Sequence, residues 1–265
     1  MKANKILRWN CKSPAKSVMD FLAEEEPLEI RVDNHPISVT MRTPGHDDEL
    51  AAGFLLTEGL LKKRADILKI SLHPLNKSKN VINVFLSPDV AVNLEQLTRH
   101  VFASSSCGLC GKATIESVHQ HFPKIKNKVS VSAKTILGLP DKLRGAQETF
   151  DRTGGLHAAA LFELDGNLLV LREDVGRHNA VDKVLGHSFL KNIFPLERHI
   201  LMVSGRASFE ILQKALAARI PIICAVSAPS SLAVEFARES GQTLVGFLRE
   251  ERMNVYSHPK RIKFA

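Results

Sequence analysis

The sequence predicts an α/β protein, with an α+β N-terminal part and an α/β C-terminal part built on a largely parallel sheet. Short alternating apolar runs around one helical stretch mark the first part. From residue 200 onward, strand-like and helix-spaced segments alternate, which implies right-handed crossovers and parallel strands. Asp165-Gly166, set between two apolar runs, is a strong two-residue hairpin signal heading that sheet. The division expected is 1–138 and 139–265.

In chain order, 29–41 alternates Ile30, Val32, Ile37, Val39 and Met41 and reads as a strand pair turning near Asn34-His35-Pro36. Thr43-Pro44-Gly45 breaks it. Residues 47–61 read as a helix, with acids in the first turn and Leu50, Phe54 and Leu61 on one face. Strands follow at 67–72 and 81–86. Residues 92–102 and 112–122 have helical spacing, and the segment between them, 104–111, is a loop. Further on, 156–164 and 167–172 form the hairpin, and a helix spans 179–190. Strands at 200–203, 222–226 and 243–248 then alternate with helices at 209–219 and 232–240.

A 44% hydrophobic content fits a globular chain with a real core. No apolar run reaches the roughly 18 residues of a membrane span, and 1–10 lacks the pattern of a secretory signal. Four cysteines, two of them three positions apart, suit the sulfur, redox or metal chemistry of a reducing compartment, so a cytoplasmic location is expected. The net charge of +8 favours a polyanionic partner, although a merely soluble basic surface would look the same. With aromatics at 6%, a single-strand nucleic-acid binder would lack its stacking platforms. Neither nucleic acid nor membrane is an expected partner.

Parallel strands of an open sheet present their C-terminal loops at one edge. Here those loops are Ser204-Gly205-Arg206, Ser227-Ala228-Pro229-Ser230-Ser231 and Arg249-Glu250-Glu251-Arg252, with Asp174-Val175-Gly176-Arg177-His178-Asn179 after another strand. Backbone N–H groups before helices and guanidinium forks bind phosphate, whereas serine and glycine alone are ordinary capping residues. Cys107-Gly108-Leu109-Cys110-Gly111 is the sharper feature, two thiols in a glycine-flanked turn before a helix whose dipole favours thiolate. Zinc binding (with His119 or His121), a redox pair and a persulfide-bearing nucleophile are all compatible with this spacing. Cys224 lies in an apolar strand and reads as core. Thr153-Gly154-Gly155-Leu156-His157-Ala158-Ala159 invites comparison with zinc deaminases. Ala159 stands where their glutamate would be, and no Pro-Cys-x-x-Cys follows, so deamination is not expected.

Taken together, the motifs resemble the formate dehydrogenase accessory sulfurtransferases, the FdhD-like sulfur carriers. The matching stretches begin with Arg42-Thr43-Pro44-Gly45-His46-Asp47, Glu49-Leu50-Ala51-Ala52-Gly53-Phe54-Leu55 and Ser105-Ser106-Cys107-Gly108-Leu109-Cys110-Gly111-Lys112. They continue through 153–159, 173–183 and 203–206 to 227–233 and Asn254-Val255-Tyr256.

The resemblance implies a cytidine-deaminase-like, three-layer α/β/α C-terminal part and a homodimer. It implies that a cysteine desulfurase loads sulfane sulfur onto Cys107, with Cys110 assisting and no metal held by the protein. The sulfur would pass to a molybdenum (or tungsten) bis-guanine-dinucleotide cofactor, bound as cargo for a formate dehydrogenase apoenzyme. Phe247, Leu248, Arg249, Glu250, Glu251 and Arg252 correspond to the cofactor-binding stretch. The family pattern has glycine after the arginine, where this chain has Glu250. The alternatives are a non-catalytic chaperone for the same cofactor and a zinc-dependent nucleotide-binding enzyme.

Overall fold

The structure, a computed structural model, describes residues 1–72, 79–90 and 122–264. It is a mixed α/β protein. A hairpin of β1 (Lys2–Asn10) and β2 (Ser13–Leu22) leads into a four-stranded sheet ordered β4-β3-β6-β5. Its strands are β3 (Glu26–Val32), β4 (His35–Arg42), β5 (Ile67–Leu72) and β6 (Val81–Leu86). The β3–β4 turn falls at Asp33-Asn34, one residue earlier than the sequence suggests. Both residues have positive φ (47° and 70°), the requirement of a tight two-residue hairpin that Asp and Asn tolerate. Pro36 is therefore already in the strand.

Helix α1 (Asp47–Thr57) packs Leu50, Ala51 and Leu55 against Leu28, Ile30, Ile82 and Val84 of this sheet. It is shorter than expected because Gly59, at φ 79°, turns the chain out. The Gly59 N–H donates to Leu56 O (3.0 Å) and the Leu60 N–H to Leu55 O (3.0 Å), the paired bonds of a Schellman stop. The helices expected at 92–102 and 112–122 lie outside the described residues, apart from Phe122.

The larger sheet has six strands in the order β13-β12-β11-β10-β8-β9. The expected hairpin is β8 (His157–Glu163) with β9 (Leu168–Asp174), antiparallel around Asp165-Gly166. Strands β10 (His199–Val203), β11 (Ile222–Ala225) and β12 (Thr243–Arg249) are mutually parallel, linked by α6 (Phe209–Ala217) and α7 (Ser231–Ser240). Helix α5 (Arg177–Leu190) joins β9 to β10. An antiparallel edge strand, β13 (Arg252–Ser257), adds an element that the parallel pattern did not suggest.

One face of this sheet (Leu161, Leu201, Val203, Ile223, Leu244) packs on Ala180, Val184, Leu212 and Ala233 of α5, α6 and α7. The other face (Ala160, Phe162, Met202, Cys224, Val245) is covered by Ile136, Leu139 and Leu143. These come from the short helices α2 (Ala133–Leu137) and α3 (Leu139–Gly145), with α4 (Glu148–Thr153) following. The pair β7 (Val131–Ser132) and β14 (Ile262–Lys263) adds Val131 and Ile262 to the same layer. Cys224 is fully buried, as its apolar strand suggested, and burial alone pushes its thiol pKa far up. No helix among the described residues is long and apolar enough to cross a membrane.

Candidate functional site

The strand directions bring six chain ends to one edge of the large sheet. These are the ends of β9, β10, β11 and β12 and the starts of β8 and β13. Backbone hydrogen bonds stitch the loops into one rim: Ser230 N–H to Ala207 O (3.0 Å), Phe247 N–H to Ser227 O (3.1 Å) and Ser204 N–H to Ala158 O (2.9 Å). Ser204 Oγ also accepts from Ala158 N–H (2.9 Å). Gly246 makes the β11–α7 loop possible, because a Cβ there would lie 2.9 Å from Pro229 Cδ.

Three helices begin on this rim. Ser230 caps α7 by accepting from Ala233 N–H (3.2 Å), whereas α5, entered through Gly176, and α6, entered through Ser208, have no side-chain cap. Their first N–H groups face an anion-favouring end of the helix dipole. Across the two starts, His178 Nε2 lies 2.8 Å from Glu210 Oε2 and 3.3 Å from Ser208 Oγ. Burial pushes the Glu210 carboxyl up, but the bond and charge of His178 outweigh it and hold the pKa below the usual range. His157, against the Gly205 backbone, is driven toward its neutral form by burial and then by Arg177 and His178. Glu210 Oε1 and Arg177 Nε are buried with no hydrogen-bond partner among the described residues. The rim therefore combines guanidinium groups and helix starts without a side-chain cap, over two buried polar atoms that lack a partner among the described residues.

Behind the rim, two of the sequence motifs lock together across more than a hundred residues. Fully buried Asp174 accepts from Gly176 N–H (2.8 Å), Thr43 N–H (3.1 Å) and Asn179 Nδ2 (3.1 Å), and it pairs with Lys183 Nζ at 2.7 Å. Lys183 also donates to Thr43 O (2.8 Å), and Asn179 Nδ2 to Met41 O (2.7 Å). Arg42 grips Asp47 with both Nε (2.9 Å) and Nη2 (3.0 Å). A buried charge with this many donors is anchored rather than reactive. Asp174, Asn179 and Lys183 fix the start of α5, and through it the position of Arg177 and His178.

Of the sequence-selected residues, Arg249, Glu250, Glu251 and Arg252 are exposed at the β12–β13 turn on this rim, and Phe247 is half-buried beside Ser227. Leu248 instead points into the core with Phe162 and Val245, so it supports the stretch without facing a ligand. Ala159 is buried against the helices. Cys107 and Cys110 lie outside the described residues, as do His119 and His121. Among the described residues no three His, Cys, Asp or Glu side chains are grouped to hold a metal ion. Sequence reasoning placed His178 in a loop of this rim but did not pair it with Glu210, which it did not single out. The signal was present in a His in the first turn of one helix and a Glu in the first turn of the next, both following parallel-edge strands.

Residues 23–263 match the model of the FdhD/NarQ family. The sulfur carrier protein FdhD of Mycobacterium tuberculosis is 52% identical over 253 residues, covering 92% of both chains. That of Sulfurisphaera tokodaii is 43% identical over 266 residues, covering 99% of this chain and 100% of its own. A crystal structure from Desulfotalea psychrophila, described as a formate dehydrogenase accessory protein, superposes with a TM-score of 0.78 at 26% identity, covering 99% of each chain.

Proposed function

The chain belongs to the FdhD/NarQ family, and we propose that it is a sulfur carrier serving formate dehydrogenase maturation. In this reading Cys107 accepts sulfane sulfur from a cysteine desulfurase. The Cys107 thiolate attacks the terminal sulfur of the donor's persulfide, the donor's S–S bond breaks as the new one forms, and the donor leaves as thiolate. Atoms and electrons balance without an external oxidant. Cys110 assists by accepting or resolving the persulfide. When Cys110 resolves it, its thiolate attacks the inner Cys107 sulfur, a Cys107–Cys110 disulfide forms as the S–S bond of the persulfide breaks, and the terminal sulfur leaves at the sulfide level for a molybdenum (or tungsten) bis-guanine-dinucleotide cofactor, held as cargo with its phosphates on the rim; a cellular dithiol then reduces the disulfide.

The observation that supports the cargo site is the convergence of Arg177, Arg206, Arg249 and Arg252 with two uncapped helix starts on one sheet edge. Guanidinium forks and helix N-termini both recognise phosphate oxygens. A cytoplasmic setting suits this reading, since a carrier thiol must stay free of disulfide to accept sulfur and a reducing compartment keeps it so.

Mass spectrometry after incubation with a desulfurase and cysteine tests the carrier role, with one sulfur expected on the Cys107 peptide. Calorimetry with GDP tests the rim. Arg249→Ala with Arg252→Ala should weaken GDP binding by roughly ten- to a hundredfold, the loss of a charge-assisted hydrogen bond, and leave sulfur loading intact. Cys107→Ala should do the reverse. GDP binding without any sulfur label would leave a cofactor chaperone in place of the carrier. Unchanged GDP affinity in the double arginine variant would remove 247–252 from the cargo site.

A further inference from the structure

Residues 123–128 form a strap across the edge of the large sheet opposite the rim, where β10, β11 and β12 begin. Contacts from each of the loops entering these strands hold it down. The Arg219 guanidinium, just before β11, donates to Pro123 O and, at 3.5 Å, to Lys124 O. Ile125 N–H donates to Ser240 O (2.7 Å) at the end of α7. Asn127 Nδ2 donates to Glu197 O (2.7 Å), ahead of β10, and Arg261 Nη2 donates to Asn127 O (3.2 Å). Gly241, at φ 79°, lets the strap lie this close, because a Cβ there would sit 2.4 Å from Ile125 O.

Burial alternates along the strap. Ile125 is buried and Asn127 half-buried, while Lys124, Lys126 and Lys128 are exposed, so their amines leave one side of a fixed backbone. Alternate residues of an extended chain are about 6.6 Å apart. That is less than the Debye length of about 8 Å at physiological salt, so a partner meets the three charges as one positive strip. None of the three has an ion-pair or hydrogen-bond partner among the described residues. Arg198 and Lys260, next in the chain to the tethers at Glu197 and Arg261, are exposed and likewise unpaired among them. Of the neighbouring acids, Glu197 is held by Arg219 at 3.6 Å, and exposed Glu239 stands beside exposed Arg238. Apart from the lysines, only Pro123 is exposed on the strap. The strip thus lacks the stacking platforms of a single-strand nucleic-acid site and the apolar anchor of a membrane-surface segment. A fixed, purely cationic strip suits an acidic protein surface, which it would steer into encounter.

We propose that this strip docks an acidic face of the protein that delivers sulfur to Cys107. The proposal rests on the sulfur-carrier reading above. A client enzyme takes its cargo from the rim, which leaves the opposite edge of the sheet for the donor. The strap is also the first described stretch of chain after Cys107 and Cys110. Donor and cargo can then be engaged at the same time.

The test compares two sulfur donors. With limiting desulfurase and cysteine, Lys124→Glu combined with Lys126→Glu and Lys128→Glu should slow labelling of Cys107 about tenfold, the loss expected of three surface ion pairs together. Glutathione persulfide, too small to need docking, should load the parent and the variant alike, and both should bind GDP equally. Lys124→Arg with Lys126→Arg and Lys128→Arg should keep the parent rate. Raising sodium chloride from about 50 to about 300 mM should slow desulfurase loading of the parent and leave the glutamate variant unchanged. Desulfurase loading of that variant at the parent rate would overturn the proposal. So would an equal slowing with glutathione persulfide, which would put the defect at the thiol. A third contrary result is binding of phosphatidylglycerol vesicles or single-stranded DNA that the variant loses while desulfurase loading stays intact. No label on the parent's Cys107 from either donor would instead remove the carrier reading, and this proposal with it.

Discussion

Where α1 crosses α5, Gly53 and Gly186 let the two backbones touch. A Cβ on Gly53 would sit 1.8 Å from Asp182 O, and one on Gly186 would sit 1.8 Å from Glu49 O. No side-chain rotation relieves a clash with a backbone carbonyl. This close approach sets the neighbouring polar contacts. Arg172 Nε meets Glu49 Oε2 at 2.5 Å and His187 Nδ1 lies 2.8 Å from Glu49 Oε1, while Lys214 Nζ reaches Asp182 Oδ2 at 2.8 Å. Gly186→Ala should therefore destabilise the protein by about 3 kcal/mol, the upper end of core overpacking. Gly205→Ala, whose Cβ would meet the His157 ring no closer than 3.4 Å, should stay within about 0.5 kcal/mol. Urea midpoints of the two variants check the contrast, and equal midpoints would contradict it.

At the scale of elements, the β12–β13 hairpin shows why glycine would suit the position of Glu250. Its turn, between Arg249 and Arg252, holds Glu250 at φ 55°, in the left-handed region that favours glycine. Glu250→Gly should raise stability by about 1 kcal/mol and remove a carboxylate from the rim, tightening GDP. A lower melting temperature would show that the Glu250 side chain contributes more than the strain costs. The parallel core was legible in the sequence because strands such as Ile222–Ala225 are short, apolar and separated by helix-spaced runs. The helices between 133 and 153 were not, since five to seven residues are too few to establish a helical period. The exposed ribbon 2–22 was missed because neither of its faces is consistently apolar. The rim arginines could be chosen from loop topology. The His178–Glu210 pair could not, because 32 residues and a whole strand separate two side chains that meet only when α5 and α6 start at one edge.

For the whole molecule, two sets of groups with lowered pKa values act in the same direction, while the buried Asp182, whose pKa burial raises, acts against them. His46, His157 and His199 all have pKa values lowered in the fold from 6.5, with burial the largest cause. The native state thus favours their neutral forms. Their contribution is full above 6.5 and is lost as the pH falls through the folded values. Glu49 and Glu210 are lowered from 4.5; burial opposes ionisation, but Arg172 and His187 outweigh it for Glu49, and His178 for Glu210. Their contribution is present above 4.5 and is lost as the pH falls through the still lower folded values. Acidification should then weaken the protein in two steps, one beginning below about pH 6.5 and the other below about pH 4.5. His157→Gln should shrink the first step and leave the second, because a residue that never charges no longer favours the unfolded chain in acid. Urea midpoints at pH 7.5, 5.5 and 4 read both steps. A midpoint unchanged between pH 7.5 and 5.5 would mean that the buried histidines charge in the fold as readily as in water. The neutral His157 placed on the rim would then be wrong.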